Sequence, residues 1–400
     1  AFFDTRKVTS SETHATATAD SGTSSGEYNF EIFQLATSAK QLGASDVGAA
    51  VSTSSAMSSG GFSIAVTGGT VTVQGKQVTV STDDSLTTTL AAIKTAVGGS
   101  FDYSVSGDKV TLTDSSEIVL GSATDTSNFL QALRLNANGT TSISSSGKLG
   151  GIDISVTPAN ANFTDGTGAA SGSFKINGTT ISWDSSATIT DILDKINSSE
   201  ASVYANYDPV NDRFLLTNKT TGDVGITLED VTGDFLAKSR LLTANSGALS
   251  RGKNLLYKVN DAGPLESKSN TIDSNSSGIQ GLAVTATKGN GASKISSVDT
   301  SGETVTTESS HGYSTGEAVT VYSPGTIPGG LSTDTTYYVR VLSSSSYTLH
   351  TTKANAESGT NAVDLTSTQT GDVYMMSSSP KIATVSVQAD TDTIKNKIAG

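Results

Sequence analysis

Phe174-Lys175-Ile176-Asn177-Gly178-Thr179-Thr180-Ile181 alternates apolar and polar side chains on both sides of an Asn-Gly pair, and the alternation runs on to Trp183. A period of two is the pattern of a half-buried strand, and Asn-Gly supplies the positive φ angles of a tight turn. The stretch predicts a β-hairpin. Beyond it, Ile189, Leu193 and Ile196 recur at helical spacing behind a Ser or Thr able to cap the N-terminus. Tyr207, Phe214 and Leu216 return to a strand pattern around Asp212-Arg213, and Asp234-Phe235-Leu236 through Arg240-Leu241 closes the run. Hairpin, helix, hairpin describes an α+β unit with one amphipathic helix on a small sheet.

The same order of elements stands about 104 residues earlier, between Phe62 and Leu135, so the chain carries a diverged duplication. Val71, Val73, Val78 and Val80 make the hairpin around Gly75. Leu86, Leu90 and Ile93 follow at helical spacing after Ser85, and Val105, Val110 and Leu112 flank Asp108-Lys109 before Asn128-Phe129-Leu130 through Arg134-Leu135. Residues 136–172, rich in Gly, Ser, Asn and Thr, join the copies through a pair of strands expected around Ile152 to Val156. Upstream, residues 27–33 read as a strand, Gln34 to Leu42 as a short helix, and Ser52 to Gly61 as a linker with nothing to bury. After Arg251 the run Leu255, Tyr257, Val259 and the segment Ile279 to Thr287 read as strands returning to an earlier domain, broken by Gly289-Asn290-Gly291. From 292 to 377 many short strands, at Glu317 to Tyr322, Thr336 to Leu342 and Tyr347 to Thr351, indicate an inserted small all-β domain. Pro380 marks its exit, Ile382 to Val387 resumes a strand, and Thr391 to Ile398 starts a helix with apolar positions at Ile394 and Ile398.

Four hundred residues point to about two to four domains. The 38 acidic against 25 basic residues give a net charge of -13, which repels phosphate backbones and anionic membranes and argues against nucleic acid or a membrane as partner. Without cysteine there is no disulfide framework, thiolate metal site or thiol nucleophile. No apolar run approaches the roughly 20 residues of a membrane span. The opening at Ala1-Phe2-Phe3 and the end at Gly400 inside a helical pattern suggest a trimmed fragment.

A catalytic set would need convergent acid, base and nucleophile, and the imidazoles available are His14, His311 and His350, each in a context that suits a structural or surface role. Asp208 to Asp212, with Asn211, lacks the loop pattern of a calcium site and reads as a hairpin turn. Gly166, Gly168 and Gly172 open no helix after a buried strand and offer no phosphate cradle. Asn138, Asn177 and Asn218 head glycosylation triplets, although Asn177 is already explained by its turn. Trp183 reads as core or interface, with a sugar-stacking platform as the alternative. The reading is of a protein that is not an enzyme, with no catalytic, cofactor-binding or metal-ligating residue and no cofactor.

The run Phe174 to Ile181, followed by Ile189-Thr190-Asp191-Ile192-Leu193-Asp194-Lys195-Ile196-Asn197, resembles the hook "IN" motif of flagellins and flagellar cap proteins. Three further segments resemble the flagellar filament cap family in the same order: Arg6 to Ser11 with Gly26-Glu27-Tyr28 and Gln34-Leu35-Ala36; Tyr257 to Asn260 with Ser269 to Ile272 and Gly278 to Leu282; and Val385 to Thr391. The resemblance implies a multi-domain, β-rich α+β fold. Residues 1–25 and 389–400 would be stubs of a helical leg domain whose long coiled-coil helices are missing here. Residues 26–145, 251–291 and 378–388 would form a first head domain, 146–250 a second, and 292–377 an insertion outside the family pattern. His311-Gly312-Tyr313-Ser314-Thr315-Gly316-Glu317 in that insertion resembles small β modules of phage tail fibres and surface proteins. The implied role is an oligomeric plate at the extracellular flagellum tip, a homo-oligomeric ring that promotes folding and polymerisation of exported flagellin. Hook-filament junction proteins and an export chaperone are further implied partners. The alternative readings are a flagellin-like filament subunit and a secreted adhesin whose β module binds host glycans.

Overall fold

The hairpin announced by Asn177-Gly178 pairs Gly172–Ile176 with Thr179–Trp183, and both turn residues have positive φ, 49° and 82°. In the first copy Gly69–Val73 pairs with Lys76–Val80 around Gln74 and Gly75, at 50° and 71°. Two left-handed residues in succession match the right-handed twist of the strands they join. The structure, a computed structural model, describes residues 4–289, 291–323, 325–333, 335–378, 382–391, 393 and 395. It is a mixed α+β architecture of several sheets and few helices. The described residues fall into two compact units, drawn from Ala1–Ser38, Thr220–Val224 and Gly252–Gly400, and from Ala39–Lys219 and Gly225–Arg251.

The duplicated module makes up the second unit. Its first copy has the helix Leu86–Val97, whose Ser85 side chain accepts the Thr88 N–H and whose Leu86, Leu90 and Ile93 are buried. The second has Ile189–Ser198, where Thr188 and Asp191 form a reciprocal capping box over buried Ile189, Ile192, Leu193 and Ile196. Each helix covers a second hairpin, Asp102–Ser106 with Lys109–Ile118, or Val203–Asp208 with Arg213–Asn218. The short helices Phe129–Ala132 and Phe235–Lys238 then stop alike. Arg134 and Arg240 turn left-handed at φ 54° and 53°, and Leu135 N–H bonds Leu130 O as Leu241 N–H bonds Leu236 O. This is a Schellman closure with arginine where glycine is usual.

The copies differ in where their third strand comes from. Thr140–Ser144 lies beside Lys109–Ile118 in the first copy. Its place beside Arg213–Asn218 is taken by Lys40–Leu42, from before the first copy begins. Ser145 N–H bonds Val110 O as Gly43 N–H bonds Phe214 O, and Leu149 N–H bonds Asp108 O as Val47 N–H bonds Asp212 O. The cores divide accordingly. Ala39 and Val47 pack with Ile152, Phe174, Trp183, Phe235 and Leu241, while Val51 through Leu149 form a core of their own. The first copy is therefore an insertion in the second.

In the first unit a five-stranded antiparallel sheet runs in the order Arg6–Ser10, Ile382–Ala389, Gly26–Gln34, Leu255–Val259, Ala262–Ser267. A smaller sheet of Thr271–Ile272, Leu282–Ala286 and Ala15–Ala19 shares its core of Phe30, Ile32, Tyr257, Val284 and Val385. Strands from Ala292–Asp299 to Tyr374–Ser377 close a six-stranded barrel around Val305, Val339, Tyr347 and Met375.

Several sequence expectations are corrected. Gln34 to Leu42 is not helical: the Asn270 side chain takes both the N–H and the C=O of Ala36, and Lys40–Leu42 is a strand. The first copy does not share a core with 251–291 and 378–388; its core is separate and its unit is that of the second copy. Within residues 1–25, expected as leg stub, Arg6–Ser10 and Ala15–Ala19 are strands, with Val8 paired to Val387 and Ala17 to Val284. Met57, in the expected linker, is buried. Ile152 to Val156 forms no strand; its carbonyls instead accept Thr190 and Ile189 N–H at the start of a helix. The helix proposed over Thr391 to Ile398 lies largely outside the described residues, as do Ile394, Ile398, Asn290, Pro380 and Ala1 to Phe3.

Candidate functional site

Asp108 and Asp212 occupy equivalent hairpin turns, both with positive φ, and each grips the segment that leads into the other copy. Asp108 accepts Gly150 N–H at 2.8 Å and Val51 N–H at 2.9 Å. Asp212 accepts Gly48 N–H at 2.8 Å and the Tyr207 hydroxyl at 2.6 Å. The backbones touch where they cross: a Cβ on Gly48 would lie 2.3 Å from Gly151 Cα, and one on Gly150 2.2 Å from the Ala49 carbonyl oxygen. Only glycine allows that approach.

Beside the crossing, within the second unit, lies a cleft of about 560 Å³ with Ser63, Ile64 and Arg134 of the first copy on one side and Ile154, Tyr207 and Val210 of the second on the other. Val210 stands at the turn, 84% exposed. Burial pushes the Tyr207 phenol well above its ordinary range, and the Asp212 carboxylate pushes it further. Tyr207 thus stays protonated, donating to Asp212 and accepting Ile152 N–H at 3.2 Å. Arg134 is half-buried. Its Nη2 donates to Ser63 Oγ at 3.2 Å, and its buried Nε has no partner among the described residues. The equivalent Arg240 is engaged bidentately by Asp165, Nε at 3.0 Å and Nη2 at 2.9 Å, and that guanidinium holds Asp165 below the usual carboxylate range. Sequence reading named Arg134, Tyr207 and Asp212 only as parts of strands and turns. The signal available was the recurrence of Asp and Arg at matching places in both copies.

The other candidates do not gather around this cleft. His311 and His350 are buried in the barrel with both ring nitrogens engaged, His311 by Ser343 O and Tyr313 N–H, His350 by Thr360 O and Thr348 Oγ1. His14 is buried in the first unit with its Nδ1 3.9 Å from Glu12. Asp208 folds back on its own turn, accepting Val210 and Asn211 N–H and the Asn211 amide, which holds its carboxyl low. Trp183 is buried against Phe174 and Phe235 at 5.8 and 5.9 Å. The amides of Asn138, Asn177 and Asn218 are tied to backbone at Leu120, Ala201 and Gly225. Gly166 lies in an irregular segment and Gly172 begins a strand. Among the described residues no three His, Asp or Glu converge as for a metal ion.

No family model matches the chain. Part of it is similar to a flagellar hook-associated protein 2. Over 249 residues the chain is 29% identical to that protein of Thermotoga maritima, covering 58% of this chain and 40% of the relative, so it spans less than half the length of the curated relative it matches. Among solved structures it is similar to the D1-D2-D3 domains of the flagellar cap protein FliD from Escherichia coli, at 14% identity and a TM-score of 0.35, over 100% of this chain and 59% of that one. FliD (HAP2) from Pseudomonas aeruginosa matches at 15% identity and a TM-score of 0.30, over 69% of this chain and 80% of that one. Overlaps at these scores are loose.

Proposed function

We propose that this chain is the middle portion of a flagellar filament cap, a non-enzymatic assembly factor outside the cell. The observation that carries the reading is the 249-residue similarity to flagellar hook-associated protein 2. In this reading copies of the chain form a ring, contact flagellin and assist its polymerisation, with hook-filament junction proteins and an export chaperone as further partners. Two features support it. The reciprocal grip of Asp108 and Asp212 ties the two copies together at their crossing, which suits a plate over a growing end. The chain is rich in Ser, Thr and Asn, which suits many modest, reversible contacts.

The test is made in the source bacterium. Deleting the gene is expected to abolish or shorten filaments, stop swimming and release flagellin monomer into the medium, with rescue by the full-length gene. Unchanged filaments and motility would end the proposal.

A further inference from the structure

Arg134 and Arg240 occupy the same place in equivalent Schellman turns, yet one has a carboxylate and the other does not. Phe163-Thr164-Asp165 of the second copy is matched in the first by Phe62-Ser63-Ile64. Thr164 N–H bonds Val47 O at 2.8 Å as Ser63 N–H bonds Leu149 O at 2.9 Å, and Phe163 bridges Gly48 as Phe62 bridges Gly150. Ile64 therefore stands where Asp165 stands, and the two copies differ in whether their arginine has a counter-ion.

Arginine keeps its charge at any working pH, and a partly desolvated charge is costly until it meets an acceptor. The carboxylates nearby are committed elsewhere. Asp153, on the same cleft, accepts the Ser155 N–H at 2.9 Å and its hydroxyl at 2.6 Å, and Asp212 is held by Gly48 and Tyr207. Among the described residues no carboxylate pairs with Arg134. The same side chain that leaves the arginine unpaired, Ile64, lies beside it, and with Ile154 and Val210 on the other side it gives the cleft an apolar lining. A fork of donors next to an apolar surface matches an acidic side chain carried beside an apolar one.

We propose that this cleft docks an acidic segment of a partner protein, whose carboxylate takes on Arg134 the place that Asp165 takes on Arg240. The site can be probed in the purified chain, whatever the chain assembles with.

The intact chain, labelled with 15N at its arginine guanidiniums, is titrated with acetyl-leucyl-aspartyl-leucinamide, with the asparagine counterpart and with isobutyrate. The aspartyl peptide is expected to shift the Arg134 signal and not that of Arg240, and to bind about tenfold more tightly than the asparagine peptide. Ile64→Asp supplies an internal carboxylate and is expected to silence the response; Arg134→Gln, which carries no guanidinium to report, should abolish peptide binding measured by calorimetry and decides the matter should Ile64→Asp fail to fold. A response to isobutyrate without one to the aspartyl peptide would make this a small-acid site and overturn the protein-partner assignment. No shift at Arg134, or binding that survives Arg134→Gln, would overturn the proposal outright.

Discussion

The two copies of the module share turns, caps and helix stops, yet one is contiguous and the other is not. Residues 51–149 hold one core, largely of Val, Leu and Ile around Phe101 and Phe129. The second copy is closed only by Ala39 and Val47 from upstream, and it is built on aromatics: Phe235 lies 5.5 Å from Phe174, 5.9 Å from Trp183 and 6.0 Å from Phe214. Because its core is separate, the insertion is expected to unfold while its host persists, whereas unfolding of the host would release both ends of the insertion. A repeat that looks symmetric in sequence is thus a hierarchy in the fold.

Core truncation should break that comparison most visibly. Phe235→Ala is expected to cost about 3–5 kcal/mol and to bring down both copies together. Phe129→Ala should cost a similar amount but loosen the first copy alone. Trp183 is the single tryptophan and sits in the second core, so its fluorescence separates the two cases in a urea titration. Coincident loss of Trp183 signal and first-copy amide protection in Phe129→Ala would refute the hierarchy.

The reciprocal grip is next in size. Asp108→Ala and Asp212→Ala each leave buried donors unsatisfied and should cost about 1–3 kcal/mol. If the two aspartates secure one crossing, the double variant should depart from additivity by at least about 0.5 kcal/mol; simple additivity in unfolding free energies would show two independent turns. Smaller still is the difference in caps. Thr188→Ala should destabilise by about 1 kcal/mol, and by more than Ser85→Ala, because only the second helix has the reciprocal box.

The smallest effect is confined to alkaline conditions. The folded chain holds the Tyr207 proton more tightly than the unfolded chain, burial being the main cause and the Asp212 carboxylate the next. Stability from this source is fully present below the ordinary phenol range near pH 10 and falls as pH rises above it, since the unfolded chain then gives up the proton first. Urea midpoints followed through Trp183 should drop between about pH 9.5 and 11, and drop less in Tyr207→Phe. An identical decline in the variant would show that Tyr207 is not its source.

Much of the module was legible because its signals are local. Strand alternation, Asn177-Gly178, the caps before Leu86 and Ile189 and the paired helix stops are written within a few residues of where they act, and the structure places an element at each. The candidate cleft was not legible as a site, although its ingredients were: Asp108 with Asp212 and Arg134 with Arg240 recur in the duplication, but only the matching hydrogen bonds of the folded backbones align Ile64 with Asp165. The helix expected over Gln34 to Leu42 failed for a related reason. Its residues favour helix on intrinsic propensity, a weak preference, and partners remote in sequence outweighed it: Asn270 at Ala36, Arg213–Asn218 beside Lys40–Leu42 and the Leu241 carbonyl on the buried Gln41 amide. Sequence by itself determined the repeated unit, since turns and caps are satisfied by near neighbours. Which upstream strand completes which copy, and which arginine keeps its carboxylate, was decided by tertiary structure, because those hydrogen bonds join groups that only the folded backbone brings together.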